Sequence, residues 1–112
     1  MNDYQIWTRS LAVYPDAGLG TELAMCYTAL GLLSEAGEYA GVLKKAIRGD
    51  DGVQSLILAR GSPRALDELG DVLWYLARCA DEHGITLEDL MARNTMKLEA
   101  RRASGTIKGD DR

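Results

Sequence analysis

The sequence predicts an all-α fold, a helical bundle of four to five helices that is oligomeric. Apolar residues recur every three or four positions over long stretches, and no stretch alternates in the manner of a strand. Serine, threonine and proline stand where helices would begin, and glycine stands where they would end. A chain of 112 residues fits one domain over 1–112, small enough to gain stability from self-association.

Two helices are predicted in the N-terminal half. A short amphipathic helix covers residues 2–13, ends before Pro15 and is followed by a glycine-containing loop. Thr21 is placed to cap a long second helix that ends near residue 47. Residues 49–61 form a connector that the pattern does not assign. The apolar residues expected to face the core are Ile6, Trp7, Leu11, Met25, Ala29, Leu32, Ala36, Ala40, Leu43 and Ile47.

Two more helices are predicted in the C-terminal half. Ser62 and Pro63 are a strong start signal, because proline is preorganised for the first helical turn and serine accepts amide hydrogen bonds. This helix ends near residue 83, with Gly84 as a left-handed cap. Thr86 opens a last helix to about residue 102, and residues 103–112 are expected to be a mobile tail. The core residues expected here are Leu66, Leu69, Leu73, Leu76 and Ala80.

Two acidic pairs with the same three-residue spacing are the main clue to function. Glu35 with Glu38, and Glu68 with Asp71, each place two carboxylates on one face of a helix. Like charges at this spacing destabilise a helix by roughly 0.2–0.5 kcal/mol. Strongly apolar sequence adjoins both pairs, and burial of uncompensated charge is costly, so we expect a cation to bind them. A solvated acidic face is the competing interpretation of either pair alone.

The ligand types favour a hard metal ion. Carboxylate oxygens suit Mg²⁺, for which Mn²⁺ can substitute. Carboxylate-bridged di-iron sites use Glu-x-x-His pairs, whereas the single histidine, His83, has Ala80 three residues before it. A bound metal lowers the pKa of water and neutralises a phosphate leaving group. The residues therefore predict a metal-dependent hydrolase of phosphoanhydrides or phosphoesters.

Charge and hydropathy argue against several other classes. Seventeen acidic and thirteen basic residues give a formal charge of −4, which is unsuited to coating a nucleic-acid polymer by counterion release. No apolar run approaches the roughly 20 residues that span a bilayer. Residues 1–11 lack the pattern of a signal peptide. We therefore expect no membrane partner and a cytoplasmic location.

The acidic double motif resembles the MazG-like all-α nucleoside triphosphate pyrophosphohydrolases. Its context LeuGlyAspValLeuTrpTyrLeu at 69–76, the TyrProAsp loop at 14–16 and the closing segment with Asn94, Lys97, Leu98 and Arg101 all match, and the resemblance covers 4–105. It implies cleavage of an NTP or dNTP into the monophosphate and pyrophosphate, by a homodimer or homotetramer. The linker between the two acidic pairs is longer than usual for that family, and the base, the sugar and the choice between canonical and modified nucleotides stay open.

The resemblance also implies roles for individual residues. The four carboxylates become the Mg²⁺ ligands, and either Glu35 or Glu38 also positions or deprotonates the attacking water. For the aromatic candidates, ordinary core packing is the competing interpretation. For the lysines, it is an ordinary surface position. A non-catalytic helical interaction module and a hydrolase of another pyrophosphate compound are the alternative functions. The candidate substrate-binding residues are Trp7, Lys44, Lys45, Tyr75, Asn94, Lys97 and Arg101.

Overall fold

A computed structural model describes residues 1–49 and 60–107, and within these ranges the chain is helical with no β-strand. Helix α1 is Asp3–Thr8, continued by a 3₁₀ turn at Arg9–Leu11. Helix α2 is Glu22–Arg48, α3 is Pro63–Glu82 and α4 is Leu87–Ser104. The all-α prediction is confirmed. None of the helices in these ranges combines the length and the apolar character that crossing a membrane requires.

The helices begin at the residues that local capping chemistry selects. The side chains of Thr21 and Ser62 accept hydrogen bonds from backbone N–H groups three residues further on, at 3.2 and 3.4 Å. Thr86 and Asp89 form a reciprocal capping box at the start of α4. These contacts satisfy amide groups that would otherwise lack partners, so the predicted helix starts are confirmed.

The last helix is longer than predicted. It continues to Ser104 and ends at Gly105, whose φ of 77° is the left-handed conformation that glycine adopts at little cost. Residues 103 and 104 therefore belong to the helix, and their assignment to a tail is wrong. Residues 50–59, which make up most of the unassigned connector, and residues 108–112 of the predicted tail lie outside the described residues.

Helices α2 and α3 pack along each other and form the body of the protomer, with α1 across α3. Helix α4 meets the others mainly through its first turns, where Leu87 joins Ala77 and Ala80 in a small core. Every residue from 91 to 100 is exposed. Most of α4 is thus uncovered in one protomer.

Within one protomer, the predicted core is wrong for most of the leucine and alanine positions. Two helices cover each other along one strip only, and the residues buried in α2 and α3 are mainly small or polar, so the larger residues beside the strip stay open. The prediction holds for Ala80, which is 1% exposed, and partly for Met25, Leu32 and Leu43, which are half-buried. The exposed residues are Ile6, Trp7, Leu11, Ala29, Ala36, Ala40, Ile47, Leu66, Leu69, Leu73 and Leu76.

A buried arginine organises the junction between α3 and the N-terminal segment. Arg78 is 1% exposed. Its Nε donates to the Tyr14 hydroxyl at 3.1 Å, and its Nη1 donates to Thr8 Oγ1 at 3.3 Å and to Asp81 Oδ2 at 2.8 Å. Its Nη2 lies 3.5 Å from a carboxylate oxygen of Glu82. Partners on three sides compensate the desolvation of the guanidinium.

The loop before α2 wraps around the carboxylate of Glu82. Tyr14 Oη donates to Glu82 at 2.5 Å, and the backbone N–H groups of Gly18 and Gly20 donate at 2.7 and 2.9 Å. Burial, the largest single influence, raises the pKa of Glu82, but these three hydrogen bonds and the charge of Arg78 together hold that pKa below its usual value. The carboxylate is therefore ionised and fully engaged.

Helix α1 is attached by polar contacts. Gln5 is buried, and its Nε2 donates to Asp81 at 3.0 Å and to the carbonyl of Ile85 at 2.9 Å. Its Oε1 accepts the N–H of Leu87 at 2.8 Å. This buried amide attaches α1 to α3 and to the start of α4, while Ile6 and Trp7 stay about half exposed.

Candidate functional site

Helices α2 and α3 bring three of the four predicted carboxylates together. One oxygen each from Glu35, Glu68 and Asp71 lies within 4.8 Å of the others. Glu35 is near the middle of α2, while Glu68 and Asp71 are three residues apart on one face of α3. Glu38 is exposed and lies outside this cluster of three.

The cluster carries uncompensated negative charge. Burial raises the pKa of Glu35, and the charges of Asp71 and Glu68, hydrogen bonding with Glu68 and the charge of Glu38 raise it further. Glu38 is thus near enough to influence Glu35. Among the ion pairs of the described residues, none joins a lysine or arginine to the three clustered carboxylates. Binding of a cation would remove this repulsion.

The donor set fits a hard divalent ion. All three donors are carboxylate oxygens, which Mg²⁺ and Mn²⁺ prefer. Two oxygens on opposite sides of one Mg²⁺ are about 4.2 Å apart, since each lies about 2.1 Å from the ion. The three oxygens lie within 4.8 Å of one another, so the side chains would have to rotate inward to coordinate a single ion. Glu35, Glu68 and Asp71 are therefore the residues that would hold a metal.

A cavity of about 280 Å³ opens beside Glu35. Tyr75, which the sequence predicts to line a nucleotide pocket, is part of its wall. Burial raises the pKa of the Tyr75 hydroxyl, and Tyr27 and the negative charges of Glu35 and Asp71 raise it further. Tyr75 therefore shares the cavity with Glu35, one member of the carboxylate cluster. The residues that line the cavity are Tyr27, Leu30, Gly31, Ser34, Glu35 and Tyr75.

Three predicted substrate residues lie on α4. Asn94 and Lys97 line an open cavity of about 520 Å³ together with other α4 side chains. Lys97 and Arg101 line a second one of about 400 Å³ further along the helix. Neither cavity includes a residue of the carboxylate cluster. Within one protomer, these side chains are not brought to the cluster.

The remaining candidates are likewise outside the cavity beside Glu35. Lys44 and Lys45 are exposed near the C-terminal end of α2. Trp7 is 53% exposed on α1, and its ring centroid lies 5.8 Å from that of Tyr4. It contributes neither to the core nor to the cavity.

Sequence reasoning missed Tyr27 and Ser34 as cavity residues. A signal was present for Tyr27, because Tyr27, Gly31 and Glu35 follow one another at four-residue spacing and so share one face of α2. Ser34 directly precedes Glu35, and nothing in the pattern singles it out.

Comparison with known proteins matches residues 27–105 to the MazG nucleotide pyrophosphohydrolase domain. This range contains the three clustered carboxylates and the whole cavity lining. The chain is 38% identical to the Gene 37 protein of Mycobacterium phage L5 over 107 residues, which are 95% of this chain and 91% of that protein. It is 33% identical to the uncharacterized protein YvdC of Bacillus subtilis (strain 168) over 72 residues, 62% of this chain and 68% of that protein. No solved structure gave a significant match.

Proposed function

Since the chain belongs to the MazG nucleotide pyrophosphohydrolase family, we propose that it is a Mg²⁺-dependent enzyme that hydrolyses a nucleoside triphosphate to the monophosphate and pyrophosphate. The observation that carries this proposal is the meeting of Glu35, Glu68 and Asp71 next to a cavity walled by Tyr75. In that arrangement, a triphosphate chain would lie at the carboxylates and its nucleoside would point into the cavity.

The proposed reaction is attack of water on the α-phosphorus. The new bond joins the water oxygen to phosphorus, the bond from the α-phosphorus to the bridging oxygen breaks, and that oxygen leaves with pyrophosphate. Bound metal supplies charge neutralisation and lowers the pKa of water. Glu35, Glu68 and Asp71 would hold it. Glu38 lies outside the cluster but near Glu35, so its carboxylate is available to accept the proton, and Glu35 is the alternative acceptor.

We also propose that the working enzyme is a homodimer or homotetramer. One protomer leaves large apolar side chains of α2, α3 and α4 exposed, among them Leu30, Leu33, Leu73 and Met91. Its Cα radius of gyration is 17.1 Å, whereas a compact domain of about 100 residues has about 13 Å. Asn94, Lys97 and Arg101 keep their proposed phosphate role only where an assembly brings α4 of one copy to the carboxylates of another.

Sedimentation equilibrium of the purified chain checks this assembly. We expect a mass of two or four protomers at micromolar concentration, because the exposed leucines gain by burial against another copy. A monomer mass across the accessible concentration range would contradict the proposal and leave the α4 residues without a substrate role.

Product analysis with Mg²⁺ tests the reaction. We expect canonical or modified nucleoside triphosphates to give the monophosphate and pyrophosphate by chromatography. Diphosphate and orthophosphate as products would mean that a different bond is cleaved, and the proposed reaction would be wrong.

Saturable Mn²⁺ binding is expected in parallel. A chain that binds no divalent ion and turns over no triphosphate would instead be the non-catalytic interaction module. The same substrate panel identifies the preferred base and sugar.

A further inference from the structure

Gly31 and Tyr75 make an unusually close contact between α2 and α3. A Cβ atom built on Gly31 would lie 2.1 Å from Cε1 of Tyr75 and 2.5 Å from Cδ1 and Cζ. Atoms do not approach this closely, so a residue with any side chain at position 31 forces the ring to move. The Tyr75 ring therefore rests directly on the backbone of α2. Glycine inside a helix is less favourable than alanine, so this contact is kept at a cost in the stability of α2.

The ring of Tyr75 also contacts a second aromatic ring. Trp74 meets it edge-on, with ring centroids 4.9 Å apart and an interplanar angle of 87°. Tyr27 lines the same cavity as Tyr75. Tyr27 itself stacks on Tyr14, with centroids 5.2 Å apart, and Tyr14 is fastened to the buried Glu82. Tyr27 is thus linked through Tyr14 to the junction at the end of α3.

The shape and charge of the cavity indicate which part of a nucleotide it takes. Its volume of about 280 Å³ is just below the roughly 300–1,000 Å³ of sites that enclose a whole drug-sized ligand. No lysine or arginine is among the residues that line it, so the interior offers no cationic side chain to the phosphate groups. Aromatic rings offer a stacking surface to any base. A flat base therefore fits the cavity better than the phosphate chain does.

We propose that Gly31 is a positioning residue that seats Tyr75, and that Tyr75 with Tyr27 forms the surface on which the nucleobase of the substrate lies. This inference rests on the proposed function, because it assumes that the triphosphate is held at the neighbouring carboxylates. It assigns base recognition to the α2–α3 cavity of one protomer and leaves the phosphates to the metal.

Two ligands separate the base contact from the phosphate contact. Calorimetry with the full chain in Mn²⁺ would use the α,β-methylene analogues of the four deoxynucleoside triphosphates, and inorganic tripolyphosphate as the ligand without a base. Gly31→Ala is expected to weaken the binding of the tightest-binding analogue by about tenfold or more, since base stacking is lost. Its tripolyphosphate affinity should stay within about twofold of the wild type. Equal losses for both ligands, or no loss for either, would overturn the inference.

Further variants separate positioning from general damage. Gly37→Ala is the matched control on the same helix, because no atom lies within 4 Å of a Cβ built there, and it should leave both affinities unchanged. Tyr75→Leu in the Gly31→Ala background should restore the melting temperature, because the clash is gone, while nucleotide binding stays weak. If the double variant melts as low as Gly31→Ala, the glycine does not serve Tyr75 and the inference is wrong.

The binding data also distinguish this inference from the proposed function. If the wild type binds Mn²⁺ and tripolyphosphate but holds no analogue more tightly than tripolyphosphate, the base surface is refuted and the metal site stands. If the wild type binds no Mn²⁺, the proposed function fails and the base surface fails with it.

Discussion

Asp71→Asn is expected to reduce turnover by about 100-fold or more while the helical content stays unchanged. Loss of a residue that only supports a metal ligand costs about 10- to 100-fold, so loss of a ligand should cost at least the upper value. The amide keeps the size of the side chain but removes the charge that a cation needs. Because Asp71 is exposed, the fold does not depend on it. Turnover with Mg²⁺, Mn²⁺ affinity and circular dichroism measure the three quantities.

Asp67→Asn is the matched control. Asp67 is an exposed acid on the same helix, one turn before Asp71 and outside the carboxylate cluster, so this variant should retain full turnover. Full activity and unaltered Mn²⁺ affinity in Asp71→Asn would show that the metal site is assigned wrongly. Glu38→Gln adds a distinction, because lost turnover with retained Mn²⁺ affinity would identify Glu38 as the proton acceptor.

Arg78→Met is expected to lower the free energy of unfolding by about 3–5 kcal/mol. Removing one member of a buried ion pair leaves the other charge without compensation, which is among the costliest single changes. Here Glu82 and Asp81 would both lose their buried partner. Urea unfolding at pH 7 provides the measurement. Arg9→Ala is the comparison, since Arg9 contacts the same Asp81 at 2.7 Å from a half-exposed position and should cost about 1 kcal/mol or less.

The pH dependence of stability gives a second measure of this network. Burial raises the pKa values of Asp81 and Glu82, but hydrogen bonds and the charge of Arg78 bring both below their usual values. An acid with a lowered folded-state pKa adds stability above its unfolded pKa and loses it as the pH falls. The protein should therefore weaken progressively below about pH 4.5, and Glu82→Gln should reduce that dependence. If Arg78→Met lowered the free energy of unfolding no more than Arg9→Ala does, the network around Arg78 would not stabilise the fold.

The local features of the fold were predictable because their causes lie within one helical turn. Capping by Thr21, Ser62 and Thr86 depends on hydrogen bonds to amide groups three residues away, and these starts are found as expected. The left-handed glycine at position 84 follows from the same local logic. The three-residue spacing likewise determined that Glu68 and Asp71 share a face.

The core and the cavity were not predictable in this way. Periodicity identifies an apolar face of a helix but does not show which element covers it. Here the leucine faces stay exposed in the protomer because α2 and α3 contact each other along a strip of smaller residues. Hydropathy predicts that Arg78 and Gln5 are exposed, yet both are buried. Their burial is favourable only because residues distant in sequence provide hydrogen-bond partners.

The sequence by itself determined the helices, their capped starts and the acidic pairs, since each depends on neighbours along the chain. Only the tertiary structure decided that Glu35 meets Glu68 and Asp71 while Glu38 stays outside, and that Tyr75 lies on Gly31. Both outcomes depend on how closely and at what rotation α2 and α3 pack, and that geometry arises from contacts between distant parts of the chain.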